Sequence, residues 1–412
     1  MVLLSAAAAP ARAETTREQQ WFLDTMKAEG MWKSSTGKGI TVAVIDTGID
    51  SNNPDLKGQI LEGRNFAPGE PGDEHTDNTG HGTGMAGLIA GTGAYGGGNG
   101  AFGLAPGVKV LPVRMPAEVA SGAEGTKSFN SIAPGAIRYA ADEGAKVINI
   151  SMGVQEGSPQ LTAAVKYASD KGSLVFAAVG NSGDSGNRIE YPAATPGVVG
   201  VGAVGKDLHR TAWSEYGPQV DMAAPGDEMV HACGGGTGLC KTNGTSDATA
   251  LASASAALIW SKHPTWTNNQ VLRVMLNTIG GPTDGAKRND DIGFGIVRPR
   301  IALVNPGDPG PADVYPLPDP PTSGASAAPA TPSPAATPAK ADAPQVGKDS
   351  SSDTTLLVFL GIGAGGLVGV ILGLWVWRKR RRHAAAERAQ QPSWGPGTGW
   401  PEHQNRDHTG SY

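Results

Sequence analysis

The chain has 412 residues with 39% apolar and 6% aromatic content, and its 60 Gly and 31 Pro point to one large domain with appendages. Its net charge of −5 is uneven: from Arg378 onward seven Lys/Arg face three Asp/Glu, so the tail carries +4 and the rest −9. A mildly acidic body excludes binding that depends on a basic nucleic-acid surface.

Residues 1–13 end in Ala11-Arg12-Ala13, a small-x-small cleavage pattern behind a short apolar stretch. They are read as the remnant of a secretory signal. From 14 to 305, strand-like apolar runs at 40–45, 108–113, 147–150, 174–178 and 198–204 alternate with helix-like stretches near 81–90, 128–143, 161–171 and 246–262. Short, near-continuous apolar strands between helices predict an α/β fold of three layers, a mostly parallel sheet with helices on both faces. Active sites in such sheets gather at the carboxyl ends of the strands.

Residues 306–354 are rich in Pro, Ala and Ser and are expected to form an extended linker. Residues 355–377 are uncharged and predict a transmembrane helix, since the stretch from Leu356 to Trp377 spans about 33 Å as a helix, enough for a bilayer core. Arg378-Lys379-Arg380-Arg381-Arg382 follows at once. By the positive-inside rule, the tail 378–412 is cytoplasmic and the large domain lies outside the membrane.

The two cysteines, Cys233 and Cys240, share a glycine-rich loop. In an oxidising compartment they would form a small disulfide loop, and in a reducing one free thiols. Two thiols and His231 do not complete a metal site, and no metal or cofactor is expected.

Three islands carry chemistry: Val44-Ile45-Asp46-Thr47-Gly48, Gly80-His81-Gly82-Thr83-Gly84 and Asn243-Gly244-Thr245-Ser246. They supply an acid, a base and a nucleophile. Ser246 opens a run of small residues that predicts a helix, whose first N–H groups and positive dipole end would stabilise an oxyanion. His81 would take the Ser246 proton and later return it. Asp46 closes a buried apolar strand, where a carboxylate needs a partner, and His81 is the natural one.

The order Asp, His, Ser, each framed by glycine, resembles the subtilisin-like (subtilase) serine peptidases over roughly residues 17–305. The resemblance implies an oxyanion-hole asparagine at Asn181, within Val179-Gly180-Asn181-Ser182-Gly183. It also implies that Ser151, Met152 and Gly153 pair with an extended peptide substrate. Ala178 and Gly180 would line the pocket for the residue before the scissile bond. The early Glu18-Gln19-Gln20-Trp21 segment, cysteine loop, Pro-rich linker and single span are similar to the mycosins, subtilases associated with type VII secretion. That likeness implies cleavage of secreted protein substrates at the membrane, with secretion components as partners. A structural role in the secretion complex, with incidental peptidase activity, is the rival reading. A lipase or esterase would need Gly-x-Ser-x-Gly, which Gly244-Thr245-Ser246-Asp247-Ala248 does not supply.

Two positions depart from the common Gly-Thr-Ser-Met-Ala-x-Pro pattern. Ala250 stands at the proline, and Asp247 stands at the methionine, beside the nucleophile. A carboxylate there opposes oxyanion formation if it points inward and helps the helix dipole if it points outward. Weak or narrowly targeted activity is expected in the first case.

Overall fold

The computed structural model describes residues 14–117, 122–234 and 238–318. Seven parallel strands form the central sheet: β1 (Thr41–Asp46), β2 (Arg64–Asn65), β3 (Lys109–Arg114), β4 (Val147–Ile150), β5 (Leu174–Ala178), β6 (Val198–Val204) and β7 (Met222–Pro225), in the order β2-β3-β1-β4-β5-β6-β7. The register sets Ile45 opposite Val113 on one side and Ile150 on the other. The expected strands at 147–150, 174–178 and 198–204 are matched residue for residue, and the first two are shifted by one.

Period-two alternation decides which side chain meets which layer. Val42 and Val44 join the core with Met85 and Leu88 of α4 (His81–Ala90) and with α7 (Thr245–Lys262). Ala43 and Ile45 join the opposite core with Phe129 and Ile137 of α5 (Ala123–Asp142) and Leu161 of α6 (Pro159–Asp170). The three-layer α/β expectation therefore holds. The chain leaves β1 towards β2 on one side and leaves the neighbouring β4 towards β5 on the other, so the carboxyl ends of β1 and β4 make the topological switch point where crevices form. Asp46 is the last residue of β1.

Helix α7 runs through the interior, buried from Thr245 to Trp260. Its small residues permit this, and its hydroxyls are satisfied: Thr249 Oγ1 and Ser255 Oγ donate to the carbonyls of Thr245 and Leu251, and Ser253 Oγ donates to Asn149 Oδ1 on β4. A β8–β9 hairpin (Met229–Ala232 and Leu239–Thr242) lies over α4, closed by the Cys233–Cys240 disulfide.

Short helices α1 (Thr16–Gln19), α2 (Trp21–Met26) and α3 (Ala28–Trp32) precede β1. Buried Gln20 ties them down, donating to the carbonyls of Phe102 and Val230 and accepting from Phe102 N. Helices α8 (Asn268–Asn277) and α9 (Pro299–Val304) follow α7. Residues 306–318, which composition assigns to the linker, run along α8. There Arg273 Nη1 donates to the Pro309 and Pro311 carbonyls and Thr267 Oγ1 to Ala312 O. No helix among the described residues is long and apolar enough to cross a membrane. The signal remnant at 1–13, the linker beyond 318, the span at 355–377 and the tail at 378–412 lie outside the described residues.

Candidate active site

The predicted acid and base meet. His81 Nδ1 donates to Asp46 Oδ1 at 2.7 Å; Asp46 is fully buried and the His81 side chain is 40% exposed. This bond fixes the tautomer and leaves Nε2 facing the open side as a base. Thr47 N also donates to Asp46 Oδ1, at 2.8 Å. The seating of α4 on β1 requires glycine after the histidine, because a Cβ on Gly82 would lie 2.1 Å from the Gly48 carbonyl oxygen.

Asp77, unforeseen in the sequence, builds the turn that presents His81. Its Oδ1 accepts from Gly80 N (2.9 Å) and Thr47 Oγ1 (2.9 Å), and its Oδ2 accepts from Thr83 N (2.8 Å) and Thr83 Oγ1 (2.7 Å). Asp77 thus caps a helix whose own N-cap, Gly80, has no side chain to do so. A search for Ser, Thr, Asp or Asn at the cap position would not find it.

Ser246 is the second residue of α7 and only 7% exposed. Its hydroxyl donates to the Ser151 carbonyl at 3.3 Å, and among the described residues it makes no direct hydrogen bond to His81. Catalytic hydrogen bonds often tighten only when substrate binds. The first N–H groups of a helix lack intrahelical partners, so the Ser246 N–H is placed to donate to an oxyanion. Asn181 sits across from it, its Oδ1 accepting from Thr245 N (2.9 Å) and Thr245 Oγ1 (3.1 Å). With its oxygen so held, the amide offers Nδ2 on its other side.

The substrate residues named from the sequence flank this point. Ser151, Met152 and Gly153 continue past the end of β4, and Asn149 Nδ2 donates to Ser151 Oγ at 3.0 Å. Ala178 ends β5, and Gly180 follows it with φ +112. Asn149 is a polar residue inside an apolar strand, which is a sequence signal for a buried structural role.

Asp247 points inward and is 2% exposed. Its Oδ1 lies 2.6 Å from Thr242 Oγ1, which lies 2.7 Å from Nε2 of buried His231, whose Nδ1 donates to the Ala232 carbonyl at 2.7 Å. Thr242 has one proton to give. If it donates to an ionised Asp247, a hydrogen bond at Nε2 requires a doubly protonated His231. If His231 is neutral and accepts from Thr242, Asp247 must carry a proton and donate. Burial favours the uncharged set: desolvation pushes Asp247 up to about 7 and His231 down to about 4. Beside this chain, the charge of Asp46 holds His81 up at about 9 against desolvation, with smaller contributions from Asp247 and Asp77. His231 carries no motif, and only the hairpin's placement over α4 reveals it.

Elsewhere, Glu62, Glu74 and His75 bring ligand atoms within 4.8 Å of one another at the surface, an arrangement common without a cation.

A parallel α/β sheet with a buried acid bonded to an imidazole at its switch point, and a serine opening the adjacent central helix, defines a hydrolase of the acyl-transfer class. A sequence model of the subtilase family matches residues 37–296, and the chain belongs to that family of serine endopeptidases. Subtilisin BL from Lederbergia lenta is 40% identical over 243 residues, covering 59% of this chain and 84% of that protein. Subtilisin E from Bacillus subtilis is 40% identical over 238 residues, 57% of this chain and 59% of the relative. Among solved structures, MycP1 from Mycobacterium smegmatis matches with TM-score 0.62 and 27% identity, covering 74% of this chain and 89% of its own. The MycP3 protease of the type VII (ESX-3) secretion system matches with TM-score 0.59 and 32% identity, covering 69% and 87%.

Proposed function

We propose that the protein is a membrane-anchored, extracytoplasmic serine endopeptidase that cleaves secreted proteins through an acyl-enzyme. Ser246 attacks the scissile carbonyl. His81 takes its proton at Nε2 and returns it to the leaving amine, and Asp46 holds the histidine tautomer and stabilises the imidazolium. Asn181 Nδ2 and the Ser246 N–H hold the oxyanion, and Ser151–Gly153 align the peptide. The 2.7 Å Asp46–His81 bond carries this reading, because it leaves a basic nitrogen at the crevice where α7 presents its serine.

The membrane placement rests on the uncharged stretch at 355–377 and the basic block after it. Likeness to MycP1 and MycP3, described as belonging to the type VII (ESX-1 and ESX-3) secretion systems, supports type VII secretion components as partners and, with them, secreted proteins as substrates. The test is fluorophosphonate labelling of the full chain in membranes, followed by identification of the modified residue. Labelling at Ser246 that is lost in Ser246→Ala is expected, and labelling elsewhere or none refutes the mechanism. Likeness to MycP1, described as an essential component of the type VII (ESX-1) secretion system, supports a second role as a structural component of such a complex. Secretion that fails without the protein but persists with Ser246→Ala would establish that role.

A further inference from the structure

Two carboxylates stand behind the walls of the substrate pocket. A Cβ on Gly153 would lie 2.7 Å from Glu190 Oε2, and a Cβ on Gly180 would lie 2.5–2.6 Å from the Glu215 carboxyl group. Gly153 belongs to the segment read as pairing with substrate, and Gly180 to the segment that positions Asn181. Both acids are fixed in place by the backbone. Tyr191 and Val154 exchange N–H···O bonds of 2.8 and 2.7 Å, which holds Glu190 beside Gly153. Glu215 N donates to the Gly180 carbonyl at 3.1 Å.

Glu215 has no exposed surface. Its Oε1 accepts from Ser182 Oγ at 2.6 Å and Ser182 N at 3.3 Å, but its Oε2 is buried with no hydrogen-bond partner. Among the described residues neither carboxylate forms an ion pair. Burial raises Glu215, and burial with the charge of Glu215 raises Glu190 to about 7, so the two acids act on each other. A buried, unmatched pair of this kind is costly unless something cationic completes it. Glycine at 153 puts no wall side chain in front of half-buried Glu190, whereas Glu215 lies fully covered behind Gly180.

We propose that this pocket selects a basic residue, Lys or Arg, immediately before the scissile bond, with half-buried Glu190 accepting its N–H groups and buried Glu215 adding its charge from behind the Gly180 wall. The proposal rests on the peptidase reading above. An Arg or Lys side chain can lay its methylene stem along the glycine walls and place its charged head against Glu190. An apolar side chain there would leave both carboxylates unmatched, and this penalty gives the discrimination.

The test compares kcat/KM for peptides that differ only at that position, carrying Lys, Arg, Phe, Leu or Ala. Active sites are counted by fluorophosphonate labelling of Ser246, so that rates refer to folded, competent enzyme. The wild-type chain is expected to favour Lys and Arg over Phe by on the order of 30-fold or more. E190Q, and independently E215Q, is expected to reduce the Lys/Phe ratio by a similar factor. Ser246 labelling with equal rates for all five peptides overturns the pocket proposal and leaves the peptidase reading intact. Absence of both labelling and cleavage overturns the peptidase reading, and the pocket proposal with it.

Discussion

His81 can accept the Ser246 proton only when its imidazole is neutral, and Asp46 at 2.7 Å holds its pKa up at about 9. The sign follows directly: below a raised histidine pKa most rings are protonated, and only the neutral minority can act as a base. At pH 7 roughly one ring in a hundred is neutral, and the fraction climbs about tenfold per pH unit before levelling off past about 9. The rate of Ser246 modification by a fluorophosphonate reports this fraction without involving any substrate side chain. It is expected to rise about tenfold between pH 7 and pH 8. Replacing Asp46 by Asn removes the charge and allows the amide to bond the wrong tautomer. The titration should then fall to about the ordinary histidine value of 6.5 or below, while the plateau rate drops by about 10⁴. A wild-type limb centred at or below 6.5, or an Asp46→Asn variant that keeps the wild-type plateau, would refute the assigned roles.

Asn181→Ala should lower kcat by about 10²–10³ with little change in KM, the magnitude known for the equivalent donor in subtilisin; an unchanged kcat excludes it from the oxyanion hole. Asp247→Asn cannot ionise and should shift the alkaline limb to lower pH, since Asp247, protonated below about pH 7, is ionised in the range where His81 titrates and there helps to hold it up; an unmoved limb clears Asp247 of influence on the base. Asp247→Met strips the carboxyl from Thr242 and buried His231 and should cost about 1–3 kcal/mol, read as a lower Tm. Reducing the Cys233–Cys240 disulfide should cost about 2 kcal/mol by denaturant titration with and without reductant, and identical midpoints would contradict this.

Local signals located much of the site in the sequence. The apolar run before Asp46 marks a buried strand end, and glycines around His81 and before Ser246 mark close packing and a helix start. Those features depend on neighbours along the chain, so the sequence displays them. The extra five residues at the start of α5 and the packed stretch at 306–318 did not show, because propensity at an element's edge is weak and tertiary contacts decide it.

Composition and order alone determined the layered α/β class, the acid–base–nucleophile set and its place at the strand ends. Only the folded chain decided that Asp77 caps α4 and that Asp247 turns inward to Thr242 and His231. It also decided that Glu190 and Glu215 converge behind Gly153 and Gly180. The physical reason is the same for each: these partners lie on different elements, and sheet register and helix seating fix their meeting, which no local pattern of residues records.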